Sequence, residues 1–280
     1  MTSPTQQSFS DYELAAWTAK AAGYERWYAP ITSNAIMPIF GVIGAQLTAK
    51  RFLDICTGTG HVAGAASSRG ADAVGIDFAD AMLAIARTNY PMVRFQKGDA
   101  EDLPFADESF DAAANCFGMM HLPNPEKALG EVFRVLKFGG RFTFTNWLPP
   151  SVGFDLFLII DEAVREFGNL NVNLPPAPPA FRFGDAQDAV AVLGSIGFEE
   201  ITFDRKSIFW RPARPGDVLD LIQESTVRAP MLIERQTPAA RARIEQAIVQ
   251  QVEALRSGGV IELRFPYLLV GAEKLRSSSH

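Results

Sequence analysis

The sequence has little cysteine and little histidine: Cys56 and Cys116 are its two thiols, and His61, His121 and His280 its three imidazoles. Two thiols imply no disulfide framework, and scattered histidines without cysteine or carboxylate at ligand spacing argue against a metal site. Basic charge is also short. Lys and Arg total 26 against 32 Asp and Glu, for a net charge of −6. That balance argues against nucleic acid as the main partner, because phosphate binding needs a basic face. Leu156 to Ile160 is apolar but far too short to cross a bilayer. Residues 1–7 have neither a basic n-region nor an apolar h-region, so no secretion signal is read there and a cytoplasmic protein is expected.

What is present is ordinary globular material, 48% hydrophobic and 21% charged, enough for a sizeable core. It is organised around residues 51–60. There an apolar run ends in Asp54 and breaks into a loop holding Gly58 and Gly60, and an apolar-periodic stretch from Val62 to Ser68 follows. This is the pattern of a buried parallel strand passing through a tight turn into a helix. Glycines let the backbone approach a ligand, and such turns bind nucleotide-like cofactors in open α/β sheets.

Strand and helix alternate through the region that follows. Strands are expected at 51–55, 72–77, 92–98, 110–116 and 141–147, and helices at about 60–69, 79–89 and 125–137, with a short turn near Pro104. Alternation of this kind makes an α/β fold with a parallel sheet and helices on both faces. Asn124 reads as an N-cap, Pro125 as the first helical residue and Gly139-Gly140 as the stop of the 125–137 helix. Upstream, residues 8–28 read as one helix or two, holding Trp17, Trp27, Tyr12, Tyr24 and Tyr28. Two readings stay open for it: an amphipathic helix packed on the sheet, or an aromatic lid over a ligand. Downstream, proline pairs at 149–150, 175–176 and 178–179 flank a helix near 153–167. A helix near 185–196, a strand at 198–210, helices at about 216–229 and 238–256 (capped by Thr237) and a last strand at 261–272 complete the chain. One domain over 1–280 is expected, with a lid at 1–50, a cofactor core at 51–147 and cap insertions at 148–183 and 211–260.

The glycine loop by itself is ambiguous. Gly58-Thr-Gly60-His-Val-Ala63 matches G-x-G-x-x-A, and Asp77 lies 19 residues past Gly58, which suits an NAD-dependent oxidoreductase. Against that, Asp54 would repel a pyrophosphate but receive an ammonium group. Asp54, Asp77, Asp99, Glu101 and Asp102 crowd the strand-end loops, with no Lys or Arg placed for phosphate. The pattern fits an adenosine carrying an ammonium and a positive centre.

Five stretches then carry a family resemblance: Leu53–Gly60, Val74–Asp77, Gly98–Phe105, Ser109–Asp111 and Arg134–Gly140. In this order they resemble the motifs of class I S-adenosylmethionine-dependent methyltransferases. The nearest branch is similar to the ubiquinone/menaquinone-biosynthesis C-methyltransferases, grouped as methyltransferase type 11. The resemblance implies a Rossmann-like seven-stranded sheet, mostly parallel with the last strand antiparallel, under a helical cap. The cofactor it implies is S-adenosyl-L-methionine, with S-adenosyl-L-homocysteine as product. Residue by residue, it implies that Asp54 and the Cys56, Thr57, Gly58, Thr59 and Gly60 loop hold the methionine end. Asp77 would bind the ribose, Phe78 and Met82 would flank the adenine, and Asp99 and Ala100, with Glu101 beside them, would receive its polar edge. Asn115, Cys116 and Phe117 would line the sulfonium side. Two departures stand out, Cys56 in place of a frequent glycine and Phe138 in place of the usual proline of Pro-Gly-Gly.

Other residues keep two readings. Cys56 and Cys116 end neighbouring strands and are either a redox pair or small packing residues. His121, at the mouth of the fourth strand, is either a general base or a loop residue near the helix cap. His61 reads as a local contact. Arg205, Lys206, Arg211 and Arg214 are a solvated strand end or a site for an anionic acceptor. Trp147, Phe154, Phe157, Phe181 and Phe183 make the cap apolar, favouring a small hydrophobic or aromatic acceptor. The sequence leaves the methylated atom and the oligomeric state open, a homodimer included.

Overall fold

A computed structural model of the chain describes residues 8–44 and 46–276. Seven strands form one sheet in the order β3-β2-β1-β4-β5-β7-β6. They are β1 (Arg51–Ile55), β2 (Asp72–Asp77), β3 (Arg94–Lys97), β4 (Phe110–Cys116), β5 (Leu136–Trp147), β6 (Glu199–Trp210) and β7 (Leu263–Lys274). β1 pairs in parallel with both β2 and β4, and β4 in parallel with β5. β7 runs antiparallel between β5 and β6, as the resemblance implied. Chain order reverses on the two sides of β1, and in open sheets a crevice forms at such a reversal, outside the strand ends.

Alternating strand residues feed two cores. Phe52, Ala112, Ala114, Phe265, Tyr267 and Leu269 point to one face, with α3 (Ile36–Ile43), α4 (His61–Ser67), α7 (Asp155–Phe167), α9 (Asp217–Ser225) and α11 (Pro238–Ala254). Leu53, Ile55, Ala113, Leu268 and Val270 point to the other, under α6 (Pro125–Val135) and α8 (Ala186–Ile196). The period of two along β7 is what makes one strand serve both. A third, smaller cluster joins Trp17 and Ala21 of α1 (Phe9–Gly23) to Ala79 and Met82 at α5 (Asp80–Asn89) and to Val227. That cluster lays α1 against α5 and the loop after β2.

Several expected boundaries move. The expected strand at 92–98 is confined to Arg94–Lys97, because Met92 turns outward at 90% exposure. α6 stops at Val135, not 137, since buried Leu136 already pairs with Phe110 in extended backbone. Gly139 and Gly140 therefore sit in an irregular start of β5, where the register jumps from Leu136 to Arg141, and do not end the helix. Asn124 occupies the N-cap position, yet its side chain caps nothing. Thr237 does cap α11, accepting from Ala240 N at 3.3 Å. The helix expected at 216–229 is two, α9 and α10 (Arg228–Glu234), broken where Thr226 turns extended.

The N-terminal segment runs on beyond the expected residue 28. α1 passes into a wider π turn at Tyr24–Tyr28, then α2 (Ala29–Thr32), a 3-10 turn at Ser33–Ala35, and α3. Pro30 lacks an N–H and its ring crowds the carbonyl four residues back, so a single wider turn keeps the helix going where it would otherwise kink. No helix of the described residues is long and apolar enough to cross a membrane.

Candidate functional site

The strand-end loops and the N-terminal segment enclose a cavity of about 430 Å³. This volume lies within the range of small-molecule sites, roughly 300–1,000 Å³. Its floor comes from the loops after β1, β2, β3 and β4. Its roof comes from α1 and the π turn, from residues 177–181 of the proline-rich excursion and from residues 225–229 between α9 and α10.

The glycine loop is held by two buried acids. Asp54 Oδ2 accepts from Thr57 Oγ1 at 2.6 Å and from Ala63 N at 3.0 Å, which ties the loop to the first turn of α4. Asp77 Oδ2 accepts from Gly58 N and its Oδ1 from Ala79 N, both at 2.9 Å. Burial raises both carboxyls, Asp54 to about 7 and Asp77 to about 6, although these hydrogen bonds pull the other way. Gly58 and Gly60 take positive φ, and a Cβ on Gly60 would strike the Phe95 ring. Cys56 also takes positive φ, +55°. Where the family often has glycine, this chain thus holds a strained residue, a conformation costing roughly 1–2 kcal/mol. Phe117, at the corresponding end of β4, is strained in the same way, with φ +57°.

Nine of the fifteen residues expected at the cofactor line the cavity: Cys56, Gly58, Asp77, Phe78, Met82, Asp99, Ala100, Cys116 and Phe117. The other six stand behind it. Asp54, Thr57 and Gly60 shape the loop as described. Thr59 is buried with its Oγ1 unpartnered. Glu101 accepts from Asn124 N at 2.6 Å, joining the loop after β3 to the start of α6. Asn115 donates to Ile55 O and accepts from Gly118 N, each at 3.0 Å, bracing the end of β4 against β1.

At the other end the cavity is aromatic. The Phe117 ring stacks on Trp147 with centroids 3.7 Å apart and planes 12° apart, and Phe117 N donates to Thr145 Oγ1. Tyr28 stands edge-on to Trp147, and Phe157 edge-on to Phe181. All five rings line the cavity. Cys56 and Cys116 both line it as free thiols. Burial pushes the Cys116 thiol up to about 12 and the Cys56 thiol well above its ordinary value. Burial of this kind disfavours the thiolate, which is the reactive form.

Three contacts seat the N-terminal segment on the core. Trp27 Nε1 donates to Glu224 Oε2 at 2.8 Å. His61 lies between Tyr90 OH at 2.7 Å and Glu25 Oε2 at 3.0 Å, a local contact as expected. His121 Nδ1 meets Glu13 Oε2 at 2.8 Å, and Trp17 Nε1 donates to the same oxygen at 3.0 Å. Glu13 and His121 both line the cavity, so residues 8–28 pack on the core through Trp17 and Ala21 and roof the cavity at the same time. Glu13 escaped the sequence reading, since an acid beside Tyr12 looks like a solvated helix position. The signal available was its i,i+4 spacing to Trp17. The basic residues 205, 206, 211 and 214 lie away from the cavity, with Lys206, Arg211 and Arg214 paired to Asp204, Glu262 and Asp217.

The donor set suits an adenosine and offers little to a pyrophosphate. The lining presents carboxylates at Asp77 and Asp99 and apolar sides at Ile76, Phe78 and Met82. Arg228 is its one Lys or Arg among the described residues. Among those residues no group of three or more His, Cys, Asp or Glu is arranged to hold a metal ion.

Comparison with known proteins agrees with this geometry. Residues 53–144 match the family model described as a methyltransferase domain. The demethylmenaquinone methyltransferase of Thermus thermophilus is 41% identical over 172 residues, covering 55% of this chain and 78% of that protein. The enzyme of the same description from Clavibacter sepedonicus is 35% identical over 149 residues, covering 50% of this chain and 58% of its own length, so the chain spans little more than half of that relative. The structure of Haemonchus contortus phosphoethanolamine N-methyltransferase 2 in complex with S-adenosyl-L-methionine superposes with a TM-score of 0.58 at 18% identity, covering 96% of this chain and 60% of that one, a likeness of fold. None of these three relatives is described as a dinucleotide-binding enzyme. The chain belongs to the class I S-adenosylmethionine-dependent methyltransferases, in the branch that holds the demethylmenaquinone and ubiquinone/menaquinone C-methyltransferases.

Proposed function

We propose that this chain binds S-adenosyl-L-methionine in the cleft above β1 and β2 and methylates a small, apolar aromatic acceptor of the quinol class. The observation that carries the reading is a single cavity with two characters. Its end at Asp77 and Asp99 is acidic, and its end at Phe117, Trp147, Phe157 and Phe181 is aromatic. The relatives named for demethylmenaquinone support a bicyclic aromatic acceptor.

In this reading Asp77 keeps lone pairs free for the ribose hydroxyls beyond the two it spends on Gly58 N and Ala79 N. Phe78 and Met82 sandwich the adenine, and Asp99 with Ala100 N–H reads its polar edge. Asp54 acts one step back from the ligand: by fixing Thr57 and Ala63 it holds the loop in the conformation that receives the methionine end. When bound, the sulfonium supplies a methyl group already attached to a good leaving group. The Phe117–Trp147 pair then presents the flat face of the acceptor, so that its nucleophilic atom lies in line with methyl and sulfur. The lid excludes water from that line.

A thermal-shift titration with S-adenosylmethionine, S-adenosylhomocysteine and NAD side by side tests the cofactor. The first two are expected to raise the melting temperature by mass action and NAD to leave it unchanged. Asp77→Ala is expected to lower S-adenosylhomocysteine affinity at least tenfold, for loss of about 1.5–3 kcal/mol of charged hydrogen bonding. Stabilisation by NAD alone would sink the proposal.

A further inference from the structure

The most buried acid of the lid faces the mouth of β4. Glu13, on α1, is 1% exposed, and its Oε2 receives Trp17 Nε1 and His121 Nδ1. An indole only donates, so Oε2 is an acceptor there. A carboxylate that accepts from Nδ1 puts the imidazole proton on that nitrogen and leaves the lone pair on Nε2. The Trp17 ring stands edge-on to the imidazole, 4.9 Å between centroids and 90° between planes, which fixes the ring's orientation. Nε2 has no hydrogen-bond partner among the described residues, and His121 lines the same cavity as Asp77, Phe117 and Trp147.

We propose that Glu13 is a positioning residue that makes His121 the general base for a phenolic acceptor. The proposal rests on the methyltransferase reading above and adds a proton path to it. The acceptor's hydroxyl proton passes to Nε2, giving an imidazolium that faces the Glu13 carboxylate. The electron pair of the phenolate, through oxygen or a ring carbon, forms the new bond to the methyl carbon. The bond from that carbon to sulfur breaks, and its pair stays on sulfur as a thioether. Where ring carbon is the nucleophile, its own proton then moves to the oxygen and restores the hydroxyl. Positive charge thus moves from sulfur to the imidazolium, which later releases its proton to water. Because Glu13 rides on α1 and His121 on the 3-10 turn after β4, the base is complete only with α1 laid over the cleft. Proton transfer is thereby tied to the exclusion of water.

The test uses the full chain with 1,4-naphthohydroquinone, kept anaerobic, as acceptor. Imidazole ¹⁵N spectra, assigned by comparison with His121→Ala, are expected to show His121 as the Nδ1–H tautomer. In Glu13→Gln the side-chain amide can satisfy Trp17 with its oxygen and turn its NH₂ toward Nδ1, so the tautomer is expected to shift toward Nε2–H. In that variant kcat should fall at least tenfold, while S-adenosylhomocysteine affinity stays within threefold. His121→Ala should lose about a hundredfold or more in kcat and recover part of it with added imidazole. An Nε2–H tautomer in the wild type, or unchanged kcat in His121→Ala, overturns the proposal even where the cofactor binds normally. Failure of the wild type to bind S-adenosylhomocysteine, or to methylate the naphthohydroquinone, overturns the reading beneath it and the proposal with it.

Discussion

Asp54 and Asp77 are two acids on neighbouring strands, 1% and 5% exposed, and burial sets how each responds to pH. Their pKa values rise from 3.8 to about 7 and about 6. Between pH 4 and 7 the folded chain therefore holds protons that the unfolded chain has released, and for these two groups stability falls as pH rises across that window. Asp54→Asn keeps an acceptor for Thr57 and Ala63 but removes the charge. Its unfolding free energy relative to the wild type, measured by urea unfolding from pH 5 to 8, is expected to gain with rising pH, on the order of 1 kcal/mol per unit until about pH 7. Asp54, Asp77 and Asp99 were legible in the sequence because each ends a strand and strand ends meet at the crevice. That Asp54 braces the loop from behind was not legible, since spacing along the chain does not say which way a carboxylate turns. Glu13 was not legible either: its partner His121 lies 108 residues away, and nothing local to either residue announces the other.

At the scale of elements, caps separate what a sequence signals from what the fold uses. Thr237 and Asn124 both precede a Pro-initiated helix, yet only Thr237 makes a side-chain cap bond. Thr237→Ala is expected to cost about 1 kcal/mol and Asn124→Ala only a few tenths, as read from urea unfolding. The lid offers a sharper case. A Cβ on Gly23 would fall on the Glu224 carbonyl, so α1 and α9 meet backbone to backbone there. Gly23→Ala gains about 1 kcal/mol of helix propensity but is expected to lose about 1–3 kcal/mol by overpacking, with a lower melting temperature as the net result. Helices with clean periodicity, such as α6 and α11, could be read within a few residues. The π turn at Tyr24–Tyr28 and the break at Thr226 could not, because each is set by what the segment packs against.

For the molecule as a whole, the alternation of strands and helices disclosed the parallel half of the sheet, and the antiparallel strand came from family resemblance alone. Hydrogen exchange should map the division between scaffold and lid. Adding S-adenosylhomocysteine is expected to slow exchange in residues 9–43 and in the loop 54–60, and to leave the outer edge of β6 as fast as before. The position of β7 also governs when the molecule can exist at all. β6 pairs with β7 and not with β5, so a chain that has emerged only through residue 262 carries a 12-residue strand with no neighbour beside an open edge on β5. Unpaired edges of that length invite association between chains. During synthesis the sheet closes from its middle last, and a nascent chain must be shielded until residues 263–274 slide in between strands made long before them.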